Sequence, residues 1–219
     1  MKLDWSVVWA NSGALMQGTE LTVALAVATM ALAIPGGILL ALLRLSGSRV
    51  LSSASAGFTE LFRNLPLILV IYSAYYVMPV AIGVSFSPIV TGLVALALNV
   101  SAYNGETFRA GIASIRKGQG EAALALGMSR WQMMREVVLP QALRRVLPIL
   151  ASTWVSLFKD TSLVSVIAVS ELAYTAMRIR SQSFRVLEML TAMAAIYWML
   201  GYPQAKLVDW LNRRYGISE

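Results

Sequence analysis

An all-α, polytopic membrane helical bundle with about five transmembrane helices is the architecture expected of this chain. Three observations lead there. Of the 219 residues, 58% are hydrophobic and only 13% charged, with a mean hydropathy of +0.67, a balance that soluble domains of this size rarely carry. Five stretches are long and apolar enough to cross a hydrocarbon core, which takes about 20 residues of helix. The lysines and arginines lie between those stretches instead of forming one basic patch. The net charge of +7 therefore reads as membrane orientation, and no nucleic-acid partner is expected.

The elements follow in order. Trp5 and Trp9 are four residues apart and share one helix face, which predicts an interfacial lead-in helix over 3–16; a poorly ordered terminus is the plain alternative. No short apolar core followed by a small-residue cleavage site is present, so a cleaved signal peptide is not expected. Spans are predicted near 19–43, 61–82, 88–110, 146–169 and 187–208. Pro35-Gly36-Gly37 is expected to bend or thin the first, and Leu61-Phe62-Arg63-Asn64-Leu65-Pro66 opens the second. The charged segment of about 111–145 has a helix-forming composition, not a Gly/Ser-rich one, and is expected to be folded. With no internal repeat, residues 1–219 read as one transmembrane domain.

Five spans put the termini on opposite sides. Thirteen basic residues then fall on one side, seven of them between Arg109 and Arg145, against Lys2, Arg178, Arg180 and Arg185 on the other. The positive-inside bias places the N-terminus outside and the C-terminus and the polar segment in the cytoplasm. Arg178, Arg180 and Arg185 then lie outside. They are candidates for attracting an acidic substrate or docking a solute receptor, with plain solvation as the alternative.

The polar segment contains Glu121-Ala122-Ala123-Leu124-Ala125-Leu126-Gly127, closed twelve residues later by Leu139-Pro140. Gly118 and Gly120 around Gln119 are expected to end one helix, and Glu121 to sit in the first turn of the next, facing the positive end of its dipole. Small alanines let a partner approach closely, Gly127 supplies a turn, and Ser129 is placed to cap a second helix from Arg130 to about Val138. Pro140 is expected to end or bend that helix. A helical pair of this kind between membrane spans has to serve something in water.

What is missing is equally informative. Cysteine and histidine are both absent, which removes disulfides, thiol chemistry, an imidazole base and nitrogen- or sulfur-ligated zinc; no metal site is expected. Of three aspartates only Asp160 lies within a span, which disfavours an aspartyl dyad and with it an intramembrane enzyme. No Gly-x-x-x-x-Gly-Lys-Ser/Thr occurs, so no ATP site is expected in this chain.

The Glu-Ala-Ala segment, its spacing to Gly127 and the closing Leu139-Pro140 resemble the cytoplasmic coupling loop of bacterial ABC importer permeases, with Val137 where that family usually has Ile. Further stretches resemble the polar amino acid (histidine, glutamine, glutamate) branch of the family: Leu42-Leu43-Arg44-Leu45-Ser46, Glu60-Leu61-Phe62-Arg63-Asn64-Leu65-Pro66-Leu67, Ala102-Tyr103-Asn104-Gly105-Glu106-Thr107 and Lys159-Asp160-Thr161-Ser162-Leu163. Arg44-Leu45-Ser46, the Leu-Ala-Leu-Gly-Met run and Ser129-Arg130-Trp131-Gln132 are most similar to glutamate/aspartate permeases. The resemblance implies a type I importer permease of the bacterial inner membrane, importing polar amino acids, glutamate or aspartate first. It implies two ABC ATPase subunits holding ATP and Mg, a second homologous permease or a second copy of this chain, a periplasmic amino-acid-binding protein, and surrounding lipid. It also implies that Gln119, Glu121, Ala122, Ala123, Gly127, Arg130, Leu139 and Pro140 couple to the ATPase.

Charges deep in a span are costly and face a bundle interior or a watery path. Lys159 and Asp160 are adjacent, so they point about 100° apart and cannot pair on one face; partners are expected on the third span, at Asn99, Tyr103 and Glu106. An inter-helix pin is one reading of this set. The other is a substrate path of Arg63, Asn64, Pro66, Asn99, Tyr103, Glu106, Lys159, Asp160, Thr161 and Ser162, in which acidic groups hold an ammonium and Arg63 a carboxylate. An ATP-independent amino acid carrier or channel subunit is the alternative function, and a structural scaffold the plainest one.

Overall fold

The computed structural model describes residues 3–215, among which every regular element is helical. Lys2, counted above with the outer charges, lies outside the described residues. The lead-in helix is shorter than expected. Helix α1 covers Ser6–Ala10 and ends at Asn11, whose side chain donates to the Val7 carbonyl at 2.8 Å. Helix α2, Ser12–Arg44, then runs unbroken through Pro35-Gly36-Gly37.

Those glycines form a packing seam. α2 buries Thr22, Ala26, Thr29, Ala33, Gly37 and Ala41, a stripe of small residues every three or four positions. Against it lies α6 (Pro88–Ala113, reached below), the most extensive helix contact in the molecule. A Cβ built on Gly37 would stand 2.6 Å from the Asn104 Cβ, and one on Gly105 would stand 2.9 Å from the Leu40 Cβ. Only hydrogens fit there. Lipid supplies no hydrophobic drive between helices, so backbone proximity and close packing carry the association.

The second span differs most from expectation. Helix α3, Arg49–Asn64, is a separate amphipathic helix capped by the Ser48 hydroxyl, which accepts from the Leu51 amide at 3.4 Å. At Leu65-Pro66 the chain turns by 107° into α4, Leu67–Tyr72, a π-helical stretch Ser73–Val77 and α5, Met78–Ile82. Proline disfavours the helical region for the residue before it, and Leu65 has ψ 136°. After α6 come α7, Lys117–Ala125, then α8, Arg130–Gln132, which passes through a π-helical stretch Met133–Val138 into α9, Leu139–Asp160. The second loop helix therefore does not stop at Pro140. It is the root of the fourth span, which continues as a 3₁₀ turn Thr161–Ile167 and, after a bend of 50°, as α10, Leu172–Ser183. Helix α11, Val186–Tyr215, completes the chain.

Both π stretches stop two residues before a proline, Pro79 and Pro140. A proline lacks the amide that would bond the carbonyl four residues back, and its ring pushes that carbonyl away. Bonding to the next amide, five residues on, widens the turn and keeps the helix whole. Among the described residues α2 and α6 are long and apolar enough to cross a membrane alone, and the bent pairs α3 with α4–α5 and α8–α9 with α10 have the length and composition of a broken span or a re-entrant loop. α11 has the length for a fifth crossing, with Glu188, Gln204 and several aromatic residues lowering its apolarity.

Replacing Gly37 by Val is expected to cost about 1–3 kcal/mol through overpacking against Asn104. The check is the thermal midpoint of the purified protein in detergent, with Gly57→Ala, where a Cβ meets nothing within 4 Å, leaving it unchanged or raised.

Candidate functional site

The break at Pro66 leaves two carbonyls without intrahelical donors. Phe62 would bond the missing amide of Pro66, and Arg63 the amide of Leu67, which the turn carries away. α6 supplies both partners: Asn99 Nδ2 donates to the Phe62 carbonyl at 2.8 Å, and the Tyr103 hydroxyl donates to the Arg63 carbonyl at 3.3 Å. The Arg63 guanidinium lies 5.5 Å from the centroid of the Tyr103 ring. Asn99 and Tyr103, expected to partner Lys159 and Asp160, are thus committed to capping a broken helix.

Around that break is a cleft of about 610 Å³ between α3–α4, α6 and α9. Arg63, Asn64, Pro66, Asn99, Tyr103 and Asp160 line it, so six of the ten path residues are brought together. α9 contributes a polar face, Ser152, Thr153, Ser156 and Asp160, whose three- and four-residue spacing is that of one side of a helix. The hydroxyls of Ser152 and Thr153 donate to the carbonyls of Pro148 and Ile149 at 3.1 Å, leaving lone pairs for an incoming N–H group. These three hydroxyl residues were missed in the sequence, although their spacing to Asp160 was readable there.

The other four path residues are elsewhere. Glu106 forms a two-pronged ion pair with Arg109 on its own helix, at 2.8 and 2.5 Å. Thr161 is fully buried and donates to the Phe158 carbonyl, and Ser162 donates to that of Lys159. Lys159 and Ser162 open onto a different, largely apolar groove of about 680 Å³ lined by Tyr197, Trp198 and Tyr202 of α11. Lys159 and Asp160 do point apart, but among the described residues neither pairs with α6.

A fully buried acid, Glu171, also escaped the sequence reading. It caps α10 by accepting from the Ala173 and Tyr174 amides at 2.7 Å and takes the Tyr197 hydroxyl at 3.1 Å, so it ties α10 to α11. Of the three arginines expected outside, Arg185 is engaged with Asp4 at 3.5 Å and Glu188 at 3.7 Å, and so is not an open docking charge.

In the polar loop, α7 begins at Lys117. Gly118 and Gly120 therefore lie inside it, and Glu121 is past its first turn. Glu121 and Ala122 are exposed, and Ala123 is buried beneath them. Gly127 adopts φ 83°, the left-handed conformation that ends α7. Ser129 and Gln132 form a reciprocal capping box, the Ser129 hydroxyl accepting from the Gln132 amide at 3.3 Å and Gln132 Oε1 from the Ser129 amide at 2.9 Å. Leu126 and Trp131, 83% and 71% exposed, project from this loop beside Gln119 and Arg130, a surface with apolar anchors in a polar setting.

A helical membrane bundle with a broken span at a charged cleft and a folded polar arm is the shape of a transport subunit. Residues 33–217 match the model of the binding-protein-dependent transport system inner membrane components, and the chain belongs to that family. It is 34% identical over 218 residues to the glutamine transport system permease protein GlnP of Escherichia coli (strain K12), covering 99% of this chain and 100% of that one. It is 33% identical over 220 residues to the glutamate/aspartate import permease protein GltK of Escherichia coli O6:H1, covering 97% and 98%. A chain from the crystal structure of an amino acid ABC transporter with histidines superposes with a TM-score of 0.91 at 30% identity, covering 98% of this chain and 100% of that one.

Asn99→Leu should leave the Phe62 carbonyl unpaired at a cost of about 1–3 kcal/mol, read as a lower thermal midpoint in detergent. Gly127→Val forces a β-branched residue into the left-handed region and should cost about 1–2 kcal/mol locally. Faster amide hydrogen exchange confined to α7 and α8 is the expected signature.

Proposed function

We propose that this chain is the membrane-embedded permease subunit of an ABC importer for polar amino acids, driven by separate ATPase subunits that hold ATP and Mg. The observation that carries the substrate class is the cleft at the Pro66 break, where one guanidinium (Arg63) and one carboxyl (Asp160) face a space of about 610 Å³. One cation and one anion suit the carboxylate and ammonium of an α-amino acid. Solute sites in membrane bundles are commonly built beside a discontinuous helix, as this cleft is.

The polar loop is proposed to dock on the ATPase through Gln119, Glu121, Ala122, Arg130 and the exposed Leu126 and Trp131, with the buried Ala123 supporting that surface from beneath. With the loop in the cytoplasm, the N-terminus lies outside, an orientation supported by the bias of basic residues. A periplasmic amino-acid-binding protein delivers the solute, and a second permease, a copy or a homologue, completes the path; ATP-driven rocking then alternates access.

Glutamate or aspartate is the proposed solute, on the strength of the Arg44-Leu45-Ser46 and Ser129-Arg130-Trp131-Gln132 stretches. A neutral amide such as glutamine is the second reading, favoured by the cleft itself. Arg63 and Asp160 are consumed by the α-carboxylate and ammonium, so only uncharged hydroxyls and the Asn64 and Asn99 amides remain for the side chain.

Proteoliposomes containing the chain, its ATPase and its receptor should take up one of radiolabelled glutamate, aspartate or glutamine only with internal ATP. Asp160→Asn should lower that uptake at least tenfold without altering assembly, while uptake that persists without ATP would establish the carrier alternative. Competition by unlabelled glutamine but not glutamate would select the second reading.

A further inference from the structure

The Leu139-Pro140 pair stands inside a continuous helix, and the wide turn before it has a consequence for packing. Arg130–Asp160 forms one helical rod about 45 Å long at 1.5 Å per residue. Its first turn belongs to the polar loop. Its far end presents Ser152, Thr153, Ser156 and Asp160 to the cleft. Between them, Pro140 denies an amide to the Glu136 carbonyl, and the Gln141 side chain donates to the Val137 carbonyl at 2.8 Å. The helix answers with the π stretch Met133–Val138, equivalent to one inserted residue.

One residue is worth about 100° of rotation. In a regular α-helix Met133 and Val138, five apart, would point well away from each other. The wide turn brings them to one side, where Met133, Met134, Val138 and Ala142 cluster with Ile112 of α6 and Ile115 just beyond its end. Met133 Sδ also comes within 3.1 Å of where a Cβ on Gly120 would be, so it grips α7 at a residue with no side chain to resist. α7 and the π stretch are in extensive contact. The arm is therefore clamped to the rod, and the rod is the cleft wall.

We infer that Pro140 is a positioning residue that sets rotational register: by enforcing the wide turn it fixes which face of the loop is offered to a motor relative to which face of α9 is offered to the solute. This rests on the proposed importer function for its consequence, but the register itself is a property of the chain alone.

The test uses the full complex and two substitutions. The chain has no native cysteine, so spin labels at Ala113→Cys and Ala125→Cys report on the arm alone, and the import ratio is read in the unlabelled, cysteine-free chain. Pro140→Ala should relax the turn to α-helix and move the label pair by about 5–10 Å, as expected for such a rotation of a helix about 10–12 Å across. It should also lower the amino acid imported per ATP hydrolysed at least fivefold. Deleting Glu136 in the Pro140→Ala background removes the surplus residue, and should restore both the distance and the ratio. An unmoved distance in Pro140→Ala, an import ratio equal to wild type despite a moved distance, or a failure of the deletion to restore either would overturn the inference. A Pro140→Ala chain that does not assemble is read through the double variant in the same way, recovery supporting register and no recovery refuting it. A wild-type complex without ATP-driven uptake would sink the importer reading, while the label distances would still decide the register.

Discussion

Backbone amides and carbonyls inside a bilayer have no water to turn to, so each interruption of a helix must be answered by the protein itself. Prolines pose that problem repeatedly: Pro35, Pro148 and Pro203 are carried inside α-helices, and at Pro66, Pro79 and Pro140 the fold answers in two further ways. At Pro66 the helix breaks by 107° and the stranded carbonyls of Phe62 and Arg63 are taken by Asn99 and Tyr103. At Pro79 and Pro140 the helix stays whole and widens into a π turn. The first solution opens a cleft, the second re-aims a face. The candidate site and its connection to the polar loop both descend from this constraint.

The glycine seam makes the first solution available. Because Gly36, Gly37 and Gly105 let α2 and α6 approach to backbone contact, α6 is held firmly enough to present Asn99 and Tyr103 at fixed positions to the end of α3. Across α6 the same economy recurs at Gly111, where a Cβ would collide with the Val146 side chain of α9. α6 is thus the central post: α2 packs along one side, α9 along another, and the broken span is capped from it.

Charge follows the same logic of local settlement. Glu106 is satisfied by Arg109 one turn on, Glu171 by two backbone amides and a tyrosine, and Glu188 by the Asp4 amide at 2.9 Å. What remains facing the cleft is Arg63, leaning on an aromatic ring, and Asp160, half-buried without a hydrogen-bond partner of its own among the described residues. An unpaired carboxyl is tolerable at depth only beside a hydrated space, which is why the cleft and not the buried acids forms the candidate solute path.

Composition together with the long apolar stretches determined that this is a helical membrane protein, because a chain so poor in charge cannot cover itself for water and such stretches satisfy their own backbone as helices. The Glu-Ala-Ala to Leu-Pro spacing, a local pattern, carried the family, and Gly127 and Ser129 were legible because turn and cap chemistry act within a few residues. The five hydrophobic stretches marked where apolar surface is needed but not where helices stop: α3 and α10 went unseen, and Pro140, read as the end or bend of a loop helix, lies within a rod that continues to Asp160. Whether a proline breaks, kinks or widens a helix depends on which neighbour can satisfy the freed carbonyl, and that neighbour lies elsewhere in the sequence. The same is true of the polar residues. Asn99, Tyr103 and Glu106 share one helix with Asn104 and could not be sorted by type; only packing decided that two cap a distant break, one pairs with its own arginine, and Ser152, Thr153 and Ser156 join Asp160 at the cleft.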